Sequence, residues 1–214
     1  MKILITGFEA YGKRKKNATE EVIHQFSAHD LEVNGGLHLE TLPVVHGEAA
    51  MKLFYLLQKH SPDIVICLGE AGGRNAISLE KVAINYMDYP LPDNAGNKIS
   101  SCNICMEGPD AFFTSLPVDS IRKRLISSGI PAEMSFTAGV YLCNEVFYHL
   151  MNWADNQEKK AIAGFIHIPV LPEVAARMQK PAASMATFTV LEALQIAIET
   201  SCKALQETFN KGSL

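Results

Sequence analysis

The chain has 214 residues, of which 48% are hydrophobic, and its formal net charge is −4 at pH 7. This length and apolar content allow a large core and favour one domain over residues 1–214. The negative charge argues against attraction to nucleic acid or to an anionic membrane. No apolar run reaches the roughly 18 residues of a membrane helix, and the amino terminus does not resemble a signal peptide. We therefore expect a cytoplasmic protein without nucleic-acid or membrane partners.

The first part of the chain alternates apolar runs with a helical pattern. Residues 2–8 and 64–68 are short apolar runs closed by glycine, which is typical of buried strands. Between them, residues 48–60 carry apolar side chains at helical spacing, so a helix is predicted there. The only run of like charge, residues 13–16, predicts a solvated turn after the first strand. Residues 86–108 form an irregular stretch too long for an ordinary turn, which predicts a functional cover.

The second part of the chain continues the alternation of helices and strands. Gly129 is a typical helix stop, and apolar residues recur at steps of three and four toward the carboxyl terminus. The predicted elements are a helix over 117–128, a strand over 131–142, a helix over 144–154, a strand over 161–168 and a helix from Ser184 to about Leu205. This order predicts a single-domain, three-layer α/β/α sandwich with a largely parallel, twisted sheet, similar to phosphorylases and hydrolases.

The five cysteines fit neither a disulfide framework nor a structural zinc site. Their number is odd, and the pair Cys102 and Cys105 has no second pair at the spacing of a zinc finger. We expect reduced thiols, with Cys102 and Cys105 as incidental loop residues. We expect neither a metal ion nor an organic cofactor.

Cys143 stands between a strand-like apolar run and an amphipathic helical run, and His167 lies near the end of another apolar strand. The free N–H groups and the dipole of a helix N-terminus stabilise an anion, so a thiol there can have a pKa well below about 8.5. Reactive groups collect at the carboxyl ends of parallel strands. A cysteine and a histidine brought together there suit a thiol hydrolase, although each could instead be an ordinary core residue.

Several segments, taken in order, resemble the pyroglutamyl peptidase I (pyrrolidone-carboxylate peptidase) family of cysteine peptidases. They are residues 2–12, 69–74, 79–85, 92–96, 138–148 with its Leu142-Cys143-Asn144 block, and 164–169 with its histidine. The resemblance implies hydrolysis of the amide bond after an N-terminal pyroglutamyl residue. It also implies peptides that begin with pyroglutamate as substrates, and a homo-oligomer, often a tetramer.

The same resemblance implies a catalytic triad of Cys143, His167 and Glu80. Cys143 would be the nucleophile, and His167 would act first as general base and then as general acid. Glu80 would fix the tautomer of the imidazole and stabilise its charged form. Without the resemblance, Glu80 could be an ordinary strand carboxylate that faces water.

Pyroglutamate is an uncharged lactam, so its pocket should be apolar with a few polar contacts. The candidates for substrate binding are Phe8, Tyr11, Glu70, Gly72, Gly73 and Leu142. Phe8 and Tyr11 could stack on the ring, and the Gly72-Gly73 pair could offer backbone N–H groups as an oxyanion hole, although a plain turn explains it equally well.

Three residues depart from the family pattern. Tyr11 replaces a phenylalanine, Glu70 replaces a neutral residue, and Pro90 stands where the family's Asp-Ala-Arg-Ile-Pro-Asp-Asn block has its arginine. Glu70 could favour a substrate with a positive charge. The departures keep two alternatives open: a hydrolase with the same triad that acts on another small cyclic or acylated amide, and a non-catalytic small-molecule binding protein on a phosphorylase-like scaffold.

Overall fold

The computed structural model describes residues 1–12, 14–26, 36–158, 161–178, 180 and 182–211. The strands are β1 (Ile3–Phe8), β2 (Leu37–Leu42), β3 (Ile64–Glu70), β4 (Ile77–Glu80), β5 (Val82–Ile84), β6 (Ala111–Phe113), β7 (Ala132–Ser135) and β8 (Ile162–Ile168). The helices are α1 (Ala18–Gln25), α2 (Glu48–His60), α3 (Val118–Ser127), α4 (Leu142–Asp155), α5 (Pro172–Ala175) and α6 (Thr187–Lys211). Across these residues, no helix combines the length and apolar character that crossing a membrane demands.

Six strands form the central sheet in the order β2-β1-β3-β8-β4-β7. All neighbours are parallel except β4 and β8, which run antiparallel. One apolar layer packs α1, α3 and α6 against one face of the sheet, and a second packs α2 and α4 against the other. The predicted three-layer sandwich with a largely parallel sheet is therefore confirmed.

The antiparallel pairing of β4 with β8 brings a carboxylate to a histidine. In this register Ser78 lies opposite His167. Because side chains alternate along a strand, Glu80 is on the same face as Ser78 and is a diagonal neighbour of His167. The pairing thus places an acid and a base side by side inside the sheet.

Some predicted elements have the expected limits, and others do not. Helix α2 spans Glu48–His60, as predicted, whereas the strand predicted over 131–142 ends at Ser135. Thr137 and Gly139 form a turn there, with Gly139 at a φ of 83°, and α4 already begins at Leu142. The terminal helix begins at Thr187 rather than Ser184, because Ser184 pairs with Val170 in an isolated bridge. Of the predicted turn at residues 13–16, residue 13 lies outside the described residues.

A tight contact at Gly164 fixes the distance between β8 and the segment before α3. A Cβ atom on Gly164 would lie 2.2 Å from Oγ1 of Thr114 and 2.6 Å from Cδ1 of Leu116. Thr114 Oγ1 also donates a hydrogen bond of 3.0 Å to the carbonyl of Ala163. There is consequently no room for a side chain at this position of β8.

We expect Gly164→Ala to lower the free energy of unfolding by about 1 to 3 kcal/mol, because the added methyl group overpacks the core. Urea unfolding followed by fluorescence would measure the change. Gly72→Ala is the matched control, since a Cβ atom there would meet nothing within 4 Å. Equal stability of the two variants would contradict the packing argument.

Candidate active site

A buried carboxylate–imidazole pair stands at the centre of the site. Glu80 and His167 are 0% and 4% exposed, and Nδ1 of His167 lies 2.7 Å from Oε1 of Glu80. The ring of His167 packs against Phe165, with ring centroids 4.9 Å apart. The ring also lies close to Gly69, because a Cβ atom at Gly69 would be 2.8 Å from Nε2 of His167. The imidazole is thus held by a hydrogen bond on one side and by close packing around its ring.

Arg74 interacts with this pair, a role that no motif in the sequence indicated. Its Nη1 donates to Oε1 of Glu80 at 2.7 Å, and its Nη2 donates to the carbonyl of Thr137 at 3.1 Å. Burial works to raise the pKa of Glu80, but the hydrogen bonds from His167 and Arg74 and the nearby Ser135 outweigh it and hold that pKa below its ordinary value. Glu80 is therefore an ionised acceptor at neutral pH.

The ionised acceptor determines the tautomer of His167. Because Glu80 accepts at Nδ1, the proton is on Nδ1 and the lone pair of Nε2 is left for chemistry. Burial lowers the pKa of His167 below 6.5, although the hydrogen bond and charge of Glu80 oppose that shift. At neutral pH His167 is thus a neutral imidazole with a basic Nε2.

Cys143 is the second residue of α4 and is half-buried. Burial raises the pKa of its thiol to about 12, the charge of Glu80 adds to the rise, and Arg74 opposes it. This direction is opposite to the lowered pKa expected for a thiol at a helix N-terminus, because desolvation is the largest influence and the nearby carboxylate adds to it. Gly69, near the end of β3, lies opposite His167, and Glu70 and Gly72 just after it line the same cleft as Cys143, so the thiol and the imidazole lie at one end of the sheet.

Cys143 opens into a cleft with a volume of about 270 Å³. Five of the six predicted substrate-binding residues line it, namely Phe8, Tyr11, Glu70, Gly72 and Leu142. Gly73 is not among the lining residues. It adopts a φ of 92° in the turn after β3, where glycine is favoured for conformational reasons alone. The part that each lining residue plays in binding stays a prediction.

The irregular stretch predicted to be a cover forms one wall of this cleft. Pro90 and Leu91 line the cleft, and the carbonyl of Pro92 accepts hydrogen bonds from the hydroxyl groups of Tyr11 at 2.8 Å and Tyr141 at 3.4 Å. These bonds tie the first loop and the start of α4 to the stretch. The wall is thereby assembled from three separate parts of the chain.

Glu145 anchors this wall from inside α4, and the sequence analysis did not single it out. It is buried, two residues after the cysteine, and accepts hydrogen bonds from the backbone N–H of Gly47 at 3.1 Å and from the Tyr89 hydroxyl. Its Oε2 also lies 3.1 Å from Nδ1 of His46. Tyr89 in turn packs edge-on against Tyr141, with ring centroids 4.4 Å apart. One carboxylate therefore connects the helix that bears the thiol to two loops of the cleft.

The structure also changes the interpretation of Glu70. Its side chain is only 5% exposed, where it pairs with the guanidinium of Arg14 and accepts a hydrogen bond of 2.8 Å from the Ala18 amide. Both carboxylate oxygens are thus engaged within the protein. The hypothesis that Glu70 selects a positively charged substrate loses its basis, because its charge is already paired.

The geometry predicts the pH profile of Glu80→Gln. We expect the acid limb of kcat/KM in the wild type to lie below pH 6.5, where His167 becomes protonated. Removing the Glu80 charge removes the influence that raises the His167 pKa, so the limb should move to lower pH. The maximal rate should fall by about 10²- to 10⁴-fold, because the tautomer is no longer fixed. Initial rates across pH would measure both effects, and a limb that moved upward would contradict the arrangement.

Comparison with known proteins identifies the family of this chain. The family model of pyroglutamyl peptidase matches residues 1–204. The pyrrolidone-carboxylate peptidase of Coprothermobacter proteolyticus is 41% identical over 209 residues, 96% of this chain and 99% of that protein. The crystal structure of a variant pyrrolidone carboxyl peptidase from Pyrococcus furiosus superposes with a TM-score of 0.91 at 38% identity, covering 96% of this chain and 100% of that chain. The chain therefore belongs to the pyroglutamyl peptidase family.

Proposed function

We propose that this protein is a cysteine exopeptidase that hydrolyses the amide bond after an N-terminal pyroglutamyl residue. One observation carries the proposal: the buried chain from Arg74 through Glu80 to His167 lies at the same end of the sheet as Cys143 and its cleft. The family membership supplies the substrate class, since the similar proteins bear the name pyrrolidone-carboxylate peptidase.

The first half of the reaction forms a thioester. Nε2 of His167 takes the proton of the Cys143 thiol as the sulfur attacks the pyroglutamyl carbonyl carbon. Glu80 stabilises the imidazolium that forms, and Arg74 holds Glu80 in place. The imidazolium then gives its proton to the departing amine, the C–N bond breaks, and the pyroglutamyl group stays on sulfur.

The second half of the reaction releases pyroglutamate. His167, neutral again, takes a proton from a water molecule that attacks the thioester carbonyl. The C–S bond breaks, and the sulfur recovers its proton from the imidazolium. No step requires a metal ion or an organic cofactor.

The start of α4 offers donors for the negative oxygen of the tetrahedral intermediate. The first N–H groups of a helix have no partner within the helix, and in α4 these belong to Leu142, Cys143 and Asn144. Tyr141, the residue before the helix, provides no side-chain cap that would occupy them. These N–H groups, together with Gly72 on the cleft wall, are our candidates for the oxyanion hole.

The cleft suits an uncharged ring more than a free N-terminal amine. Phe8, Val44 and Leu142 give it an apolar lining, and the carboxylate of Glu70 is already paired with Arg14. A protonated amine would therefore lose its hydration without gaining a free carboxylate. No contact in the described residues favours another cyclic amide or a purely binding role, so we retain neither alternative.

We further propose that the protein works in the cytoplasm as a homo-oligomer, with a tetramer as the form that the family resemblance suggests. The five cysteines are free thiols, which suits a reducing compartment and a thiol nucleophile. Exposed apolar side chains such as Phe113 at 69%, Phe136 at 66% and Met106 at 83% offer area for contacts between subunits.

The proposal predicts the substrate preference and the effect of removing the thiol. The wild type should hydrolyse a fluorogenic pyroglutamyl amide and leave the matching alanyl amide intact. Cys143→Ala should lower the rate by at least about 10⁴-fold, because the nucleophile is gone. Continuous fluorescence under reducing conditions would measure both.

Cys102→Ala is the matched control, since Cys102 lies in the irregular stretch and outside the lining of the cleft. It should retain the wild-type rate. Equal losses in the two variants, or cleavage of the alanyl amide by the wild type, would contradict the assignment of Cys143 or of the substrate.

A further inference from the structure

A second groove adjoins the cleft that contains Cys143. Its volume is about 350 Å³, and Arg14 lines both spaces. Four of its lining side chains are cationic and a single one, Glu173, is acidic; the cations are Arg14, Lys15, Lys16 and Arg177. The groove is therefore positive, although the whole chain carries a net charge of −4.

Two of the four cations are not neutralised by the protein itself. Arg14 pairs with Glu70, and Nζ of Lys16 lies 2.8 Å from a carboxylate oxygen of Glu21. Over the described ranges, Lys15 and Arg177 take part in no ion pair. The groove therefore holds positive charge that an external anion could neutralise.

The groove adjoins the cleft at Arg14, which gives a leaving peptide one route out of the cleft. His167 is the group that protonates the departing amine, and β8 ends one residue later. The chain then passes through α5 to Arg177, which lines the groove. Arg14 lines both the groove and the cleft, so a peptide that leaves the cleft past Arg14 enters the groove.

We infer that this groove binds a carboxylate on the part of the substrate that follows the pyroglutamyl residue. The carboxylate can be an acidic side chain or the C-terminal carboxylate of a short peptide. Val174 and Met178 add apolar surface beside the cations. This inference rests on the proposed function and extends it: short or acidic pyroglutamyl peptides are better substrates than neutral, amidated ones.

Four tripeptides test the inference. Pyroglutamyl-alanyl-glutamate has both carboxylates, pyroglutamyl-alanyl-glutaminamide has none, and the two remaining forms each have one. For the wild type we expect kcat/KM to be about threefold or more higher with both carboxylates than with none, because contacts between exposed charges are modest. The preference should shrink at high salt, which screens such charges. The forms with one carboxylate show which of the two is recognised.

Arg177→Glu should bring this ratio to one or below. Arg122→Glu makes the same change of charge on the exposed surface of α3, lines neither space, and should keep the wild-type ratio. A wild-type ratio of one, or an unchanged ratio in Arg177→Glu, would overturn the inference while the proposed function stands. Failure to cleave even the uncharged tripeptide would instead overturn the proposed function, and the inference with it.

Discussion

The structure depends on one buried carboxylate. Glu80 is fully enclosed in the sheet, and an unpaired charge there would cost several kcal/mol. The hydrogen bonds from Arg74 and His167 compensate that cost, and each has a second consequence. The hydrogen bond from His167 keeps the proton on Nδ1 and leaves Nε2 as the basic nitrogen. The hydrogen bond from Arg74 helps to keep the carboxylate ionised. This pairing exists because β4 runs antiparallel to β8 within an otherwise parallel sheet.

The same carboxylate also acts on the thiol. Burial and the charge of Glu80 raise the pKa of Cys143, and burial lowers the pKa of His167, so both groups are neutral before substrate binds. In the proposed reaction, Glu80 stabilises the imidazolium that forms when His167 takes the thiol proton. A neutral resting thiol is also less reactive toward oxidants and alkylating reagents, since the thiolate is the reactive form.

The residue pattern within a single segment was enough to predict an element that depends on that segment alone. Helix α2 follows from its apolar spacing, and Cys143 and His167 follow from their places at the ends of elements. The strand predicted over 131–142 is present as β7 but ends at Ser135, because Thr137 and Gly139 form a turn in a segment whose apolar composition would otherwise suit a strand. Contacts between distant residues could not be predicted: the pairing of Glu70 with Arg14 and the burial of Glu145 arise only when separate loops meet. The family resemblance, and not periodicity, pointed to Glu80.

We propose that Cys143 carries the acyl group through the reaction, and acid-quenched mass spectrometry can detect that acyl-enzyme. The enzyme would be mixed with excess pyroglutamyl amide, quenched within the first turnover and digested. The account predicts that the peptide containing Cys143 gains the mass of one pyroglutamyl acyl group, that hydroxylamine removes it, and that Cys143→Ala shows no such adduct. An adduct on another cysteine, or active turnover by Cys143→Ala, would contradict the account.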